Sequence, residues 1–139
     1  KKKKYYQEVL GEEKINFIPW TRDRKTYEIL NNYEYVFSLE VTLGTENLVK
    51  NGKTGFFFNR PNVYPMNSRR FGYMENLKPN GPFWSSGNNL KEFKRVFDFV
   101  TKSSNKNWKK TRDKYKNEVM IYDPGNKEFL KIVNKVIKN

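Results

Sequence analysis

Residues 42–46, Thr-Leu-Gly-Thr-Glu, carry groups that could bind a nucleotide diphosphate. Gly44 would let a phosphate approach the main chain, and the amides from Gly44 to Asn47 would be free donors at the start of a helix. The helix dipole would add about 0.3–1 kcal/mol to those hydrogen bonds. Glu46 would instead accept hydrogen bonds from the hydroxyls of a sugar. The candidate binding residues in this segment are Thr42, Leu43, Gly44, Thr45 and Glu46.

A purely structural role for the same residues is also open. Thr42 would then cap the helix, and Glu46 would complement the helix dipole. The spacing of the residues does not by itself decide between the two roles.

Strands and helices alternate around this segment. Residues 35–39 and 54–58 are typical of strands, and a short helix over residues 46–51, ended by Gly52, is predicted between them. Shorter strands are predicted at residues 14–18 and 83–84. Because residues 54–58 are nearly all apolar, both faces of their sheet should be covered. We therefore predict an α/β fold, a Rossmann-like three-layer α/β/α domain with a small, mainly parallel sheet and C-terminal helices, in which ligands bind at the carboxyl ends of the strands.

Apolar residues at spacings of three and four predict which helix faces are buried. Helices are predicted over residues 1–10, 24–31 and 105–120. A further helix begins after the N-cap Asn89, and the last helix of the chain begins at Asp123-Pro124. The residues expected in the core are Leu90, Phe93, Phe97 and Val100 after the Asn89 cap, then Trp108, Tyr115 and Val119, and finally Phe129, Ile132, Val133, Val136 and Ile137.

Composition excludes several kinds of chemistry in the 139 residues. The chain has neither Cys nor His, so it holds no disulfide, thiolate nucleophile or histidine base, and we predict no metal site. No apolar run approaches the length of about 20 residues that crosses a bilayer. We expect one domain over residues 1–139, and since Lys1 stands where an initiator Met would be, we expect it to be a piece of a longer protein.

The net charge of +13 predicts an anionic partner. A basic nucleic-acid-binding module is one alternative, but the lysines are dispersed rather than concentrated along one helix, which does not favour it. An anionic membrane surface is another alternative, because Lys1 to Lys4 and the lysine-rich helices would be attracted to acidic lipid.

The order of these motifs resembles the C-terminal lobe of GT-B glycosyltransferases, in particular those that make bacterial capsule and lipopolysaccharide. In that group a strand leads into Ser-Thr-Leu-Gly-Tyr-Glu, a short helix, a Gly-Lys turn and an aromatic strand. The similarity continues through residues 70–73, 80–84 and 122–126. The matching residues of the first part are Thr42, Leu43, Gly44, Glu46, Gly52, Lys53, Phe57 and Phe58.

The resemblance implies a lobe that binds a nucleotide-activated sugar as donor substrate, with no further cofactor. Val41 and Thr45 replace a serine and an aromatic of the family pattern, so the phosphates would contact Thr42, Thr45 and main-chain amides. Arginines in the proline-rich loop after the second strand would neutralise the diphosphate, unless they are solvated or pair with Glu75. These candidates are Arg60, Arg69 and Arg70.

The same resemblance implies that the acceptor and the catalytic base belong to an N-terminal lobe. The chain would then be part of a transferase of surface polysaccharide biosynthesis, contain no catalytic residue of its own and show no turnover alone. We expect it in the cytoplasm, at the inner face of the membrane.

Overall fold

The computed structural model describes residues 4, 7–8, 16–18, 25–39, 41–58, 77–86 and 89–138. The chain divides into two compact units, Lys1–Asn32 and Tyr33–Asn139. The first unit contains helix α1 (Lys25–Leu30), which confirms the helix predicted over residues 24–31. Residues 4, 7 and 8 are helical, whereas the rest of the predicted first helix lies outside the described residues. Residues 16–18 form no strand, so the strand prediction is wrong for that part of residues 14–18.

The second unit contains the sheet and the remaining helices. A strand–helix–strand unit comes first, a short hairpin follows, and three helices end the chain. In order, these elements are β1 (Tyr35–Ser38), α2 (Thr42–Val49), β2 (Lys53–Phe57), β3 (Asn80–Gly81), β4 (Trp84–Ser85), α3 (Leu90–Lys102), α4 (Asn105–Val119) and α5 (Lys127–Ile137).

The sheet has four strands in the order β1-β2-β4-β3 within the described part of the chain. Strands β1, β2 and β4 are parallel, with Val36 opposite Thr54 and Phe56 opposite Trp84. Strand β3 runs antiparallel to β4, as the first arm of the hairpin that ends in β4. This topology confirms the predicted α/β fold with a small, mostly parallel sheet, and it is consistent with a Rossmann-like arrangement.

Helices cover both faces of β2, because successive side chains of a strand point to opposite faces. On one face, Phe57 stacks on Phe93 of α3 with ring centroids 4.5 Å apart. On the other face, the ring of Phe56 lies beside Gly44 of α2 and 6.4 Å from Phe83, which in turn contacts Trp108 of α4. The strand is thus enclosed between two helical layers, as its apolar sequence predicted.

The buried face of α3 differs from the prediction. Val96 and Val100 are fully buried, but Phe93 and Phe97 remain 46% and 41% exposed, and Leu90 is 81% exposed. The two phenylalanines do pack on the sheet, since Phe97 stacks on Phe37 at 5.2 Å. Phe37 lies on β1, which is an edge strand among the described residues, so the ring of Phe97 packs at the border of the sheet and stays partly exposed. By contrast, α4 agrees with its prediction, with Trp108 and Val119 buried and Tyr115 packed against the core.

Helix α5 differs from its prediction in both its start and its burial. It begins at Lys127, after a turn in which Gly125 and Asn126 have positive φ. Asp123 lies before that turn, and its carboxylate accepts hydrogen bonds from the amides of Glu128 and Phe129 at 3.0 and 3.2 Å. Asp123-Pro124 therefore precedes the helix instead of forming its first turn. No residue of α5 is buried, so the predicted buried stripe is wrong.

Candidate functional site

The carboxyl ends of β1, β2 and β4 lie side by side at one edge of the sheet, because the three strands are parallel. Helix α2 begins four residues after β1 ends, and α3 begins five residues after β4 ends. Phe93, near the start of α3, stacks on Phe57 at the end of β2, so the start of α3 also lies at this edge. We refer to this edge as the carboxyl edge. Two helix N-termini, each with a partial positive charge, are thereby brought to it.

Helix α2 begins at Thr42, four residues earlier than predicted. The N-cap residue is Val41, in extended conformation, and no side chain among the described residues caps the helix. Thr42 lies inside the helix, so the prediction that it caps the helix is wrong. The amide of Gly44 donates to the carbonyl of Val41 at 3.1 Å, so it is not the free donor expected at this position. Any free amides of α2 belong to its first residues, Thr42 and Leu43.

Gly44 is required for packing. It is buried, and a Cβ built on it would lie 2.5 Å from the Cβ of Ser38 and 3.0 Å from the ring of Phe56. The glycine therefore lets α2 approach the sheet closely. The α-carbon of Gly44 faces β1 and β2, so the structure gives the glycine a packing role, and its predicted contact with a ligand stays a prediction.

The other predicted residues of α2 remain at least partly accessible. Thr42 is exposed, while Leu43, Thr45 and Glu46 are half-buried. The hydroxyl of Thr45 donates to the carbonyl of Thr42 at 2.6 Å, which leaves its oxygen free to accept but occupies its proton. Both threonines belong to the first turn of α2. Glu46 follows within the second turn, since a turn takes 3.6 residues.

The three candidate arginines, Arg60, Arg69 and Arg70, lie outside the described residues. The chain enters their segment from Phe58, whose amide donates to the carbonyl of Ser85 at 2.9 Å, at the carboxyl edge. Their participation in a site stays a prediction.

The sequence reading missed polar residues that follow β4. Ser86 has a buried hydroxyl without a hydrogen-bond partner in the described part of the chain, and its amide donates to Asn80 Oδ1 at 3.1 Å. Asn89 caps α3 by accepting from the amide of Lys91 at 2.8 Å. Buried hydroxyls are usually paired, so Ser86 is a candidate ligand-contacting group. Ser86 lies two residues after the predicted strand at residues 83–84, but nothing in the sequence indicates that its hydroxyl is buried.

Arg95 of α3 is not available to a ligand because it holds the hairpin. Its guanidinium donates to the carbonyls of Gly81 at 2.7 Å and Trp84 at 3.2 Å, and it pairs with Glu92 at 2.8 Å. The hydrogen bond from Arg95 lowers the pKa of Glu92 below its ordinary value. This pair fixes the position of α3 against β4, and so it supports the geometry of the carboxyl edge.

A cleft of about 370 Å³ lies at the opposite, amino edge of the sheet. Lys53 lines this cleft, and its ammonium donates to the carbonyl of Ser103 at 2.9 Å and lies 3.9 Å from the carboxylate of Glu34. Lys53 is therefore held by internal contacts and is far along β2 from the carboxyl edge. The lining residues are Glu34, Asn51, Gly52, Lys53, Asn105, Trp108 and Lys109.

The residues that the structure describes contain no cluster of three or more acidic side chains that could hold a metal ion. None of their helices has the length and apolarity needed to span a bilayer.

A family model described as "putative O-antigen biosynthesis protein" matches residues 1–137 of the chain. Neither the curated proteins nor the solved structures contain a significant match.

Proposed function

Since the chain belongs to this family of O-antigen biosynthesis proteins, we propose that its α/β unit is the donor-binding lobe of a glycosyltransferase acting in that biosynthesis. The donor would be a nucleotide-activated sugar bound at the carboxyl edge. The family description names a process and no reaction. The geometry of one edge of the sheet supports the donor-binding role.

The observation that supports it most is the uncapped start of α2 at the carboxyl end of β1. In the part of the chain that the structure describes, this eight-residue helix has no side-chain cap, so its first amides are candidate donors to a ligand. Helix starts at this position in open parallel sheets bind phosphate groups. The unpaired, buried hydroxyl of Ser86 after β4 is a second polar group at the same edge. A diphosphate would satisfy both.

The lobe would contribute to transfer by stabilising charge on the leaving group. Breaking the bond between the sugar and the nucleotide diphosphate places negative charge on the departing phosphate. Fixed amide dipoles at the starts of α2 and α3, aimed at that charge, stabilise it without reorganisation. The arginines Arg60, Arg69 and Arg70 would add charge-assisted hydrogen bonds. The proton of the acceptor hydroxyl would go to a base on a second lobe.

A proline substitution can test the amide contact without breaking the helix. Proline is tolerated at the first helical position, and Val41 before it has φ −117° and ψ 132°, as residues before proline require. Thr42→Pro removes one amide donor and the hydroxyl, whereas the matched control Thr42→Ala removes the hydroxyl alone. We expect Thr42→Pro to bind a nucleoside diphosphate about tenfold more weakly than Thr42→Ala, because a hydrogen bond to a charged group is lost.

Calorimetric titration of the chain and both variants with UDP, GDP, CDP and CMP would measure this difference. Circular dichroism should show equal helix content in the three proteins. Equal affinities of Thr42→Pro and Thr42→Ala for the nucleotide would show that the amide at the start of α2 does not bind it. Absence of binding of all four nucleotides to the unchanged chain would contradict the donor-lobe proposal itself.

A further inference from the structure

Helix α5 has one apolar face and one basic face. With 3.6 residues per turn, its six apolar residues fall on one side, and its lysines fall on the other. The apolar face consists of Phe129, Leu130, Ile132, Val133, Val136 and Ile137. The basic face consists of Lys127, Lys131, Asn134, Lys135 and the following Lys138, with Glu128 beside them.

The apolar face of α5 is open to solvent except at Val133, which is half-buried. Phe129, Ile132 and Val136 are 61%, 64% and 70% exposed, and no residue of the helix is buried. An isolated helix of 11 residues is marginally stable in water, and packing of an apolar face normally supplies the rest of its stability. This face is therefore expected to be covered by a partner when the protein functions.

The charges beside the apolar face indicate the chemistry of that partner. Helix α5 carries three lysines and one glutamate, and Lys138 follows it. Lys131 pairs with Glu128 at 2.6 Å, while the whole chain has a net charge of +13. A bulky apolar face flanked by lysines is the pattern of helices that lie in the interface of an anionic bilayer. The lysine stems can extend along the apolar region while their ammonium groups reach the phosphates.

We propose that α5 binds an anionic membrane surface by inserting its apolar face among the lipid headgroups. The helix is about 16 Å long, too short to cross the hydrocarbon core of about 30 Å, so it would lie parallel to the surface. Ile121 and Tyr122, which precede it, are 75% and 52% exposed and extend the apolar contact. This binding requires no nucleotide, and it is independent of the donor site at the carboxyl edge.

Sedimentation with vesicles tests the proposal on the full chain. We would compare vesicles of phosphatidylcholine alone with vesicles of phosphatidylcholine and phosphatidylglycerol at about 2:1, in about 0.15 M salt. Two variants introduce the same charge on opposite faces of α5, Ile132→Asp on the apolar face and Asn134→Asp on the basic face. Both positions are exposed, so both proteins should keep the fold, and Val136→Asp provides a second change on the apolar face.

The chain should bind the anionic vesicles and not the neutral ones. Asn134→Asp should weaken binding about fivefold, through one unit of charge. Ile132→Asp and Val136→Asp should weaken it at least about tenfold more than Asn134→Asp, because they also remove an apolar side chain from the interface. Equal losses for the two faces would overturn the proposal, since charge alone would then explain binding. Absence of binding to anionic vesicles would overturn it too, as would a dimer in solution that Ile132→Asp dissociates.

Discussion

At the scale of single residues, Gly44 and Arg112 fix where α2 lies. Gly44 brings the helix against Ser38 and Phe56, and Arg112 of α4 holds the turn that follows it. The side chain of Arg112 is 7% exposed and donates to Asn51 Oδ1 and, at 2.6 Å, to Asp113. Asn51 has φ 84°, a conformation that asparagine tolerates better than most residues. The position of the proposed site thus depends on contacts outside it.

Replacing Gly44 by alanine should destabilise the protein although alanine is the better helix former. The added Cβ would have to displace Ser38 or Phe56, and overpacking of this kind costs about 1–3 kcal/mol in the free energy of unfolding. Urea unfolding would measure the loss. The control Thr42→Ala, at an exposed position of the same helix, should change it by less than about 0.5 kcal/mol. If Gly44→Ala were as stable as the unchanged protein or more so, Ser38 and Phe56 would have to move aside at no cost, which would contradict this prediction.

At the scale of elements, the strands β1 and β2 and the helix α4 could be predicted from the sequence, because local patterns determine them. The start of α2 could not, since Gly44 looks like a turn glycine until its contact with Ser38 is known. The spacing of apolar residues also correctly predicted α3 and α5 as amphipathic helices. This spacing shows which residues share one face of a helix, but it does not show whether a sheet or a partner covers that face. Phe97 and Ile132 were therefore wrongly expected in the core.

The ion pairs that Asp113 makes with Arg112 and Lys116 within α4 should make stability depend on pH. Hydrogen bonds from Arg112, and then from Lys116, lower the pKa of Asp113 below its ordinary value of 3.8. A lowered pKa stabilises the fold above the unfolded-state value, and that stabilisation disappears as pH falls through the folded-state value. The stability difference between the protein and Asp113→Asn should therefore be constant from pH 7 to about pH 5 and shrink below about pH 4.

Urea unfolding of both proteins across that pH range would measure the difference. Asp98 and Glu92, whose pKa values are also lowered, are present in both proteins and cancel in the comparison. A difference that stays constant down to pH 3 would mean that the pair between Arg112 and Asp113 does not stabilise the fold.

At the scale of the whole molecule, the sheet separates two surfaces with different properties. The carboxyl edge carries two helix starts and the unpaired hydroxyl of Ser86, while the amino edge carries the cleft around Lys53. The α/β class and the edge at which α2 begins were predictable, because alternating strands and helices with parallel pairing leave few topologies. Ser86 was not identified, since only the packed structure reveals that its hydroxyl is buried without a partner. The predicted arginines await a test in solution.

Amide chemical shifts, followed while a nucleoside diphosphate is added to the labelled chain, test the donor-lobe proposal most directly. We predict that the amides of Thr42, Leu43, Ser86 and Leu90 shift with a common dissociation constant, and that those of Gly52, Lys53 and Asn105 at the amino edge do not. Shifts confined to the amino edge, or no shifts at all, would contradict the proposal that a nucleotide-activated sugar binds where the parallel strands end.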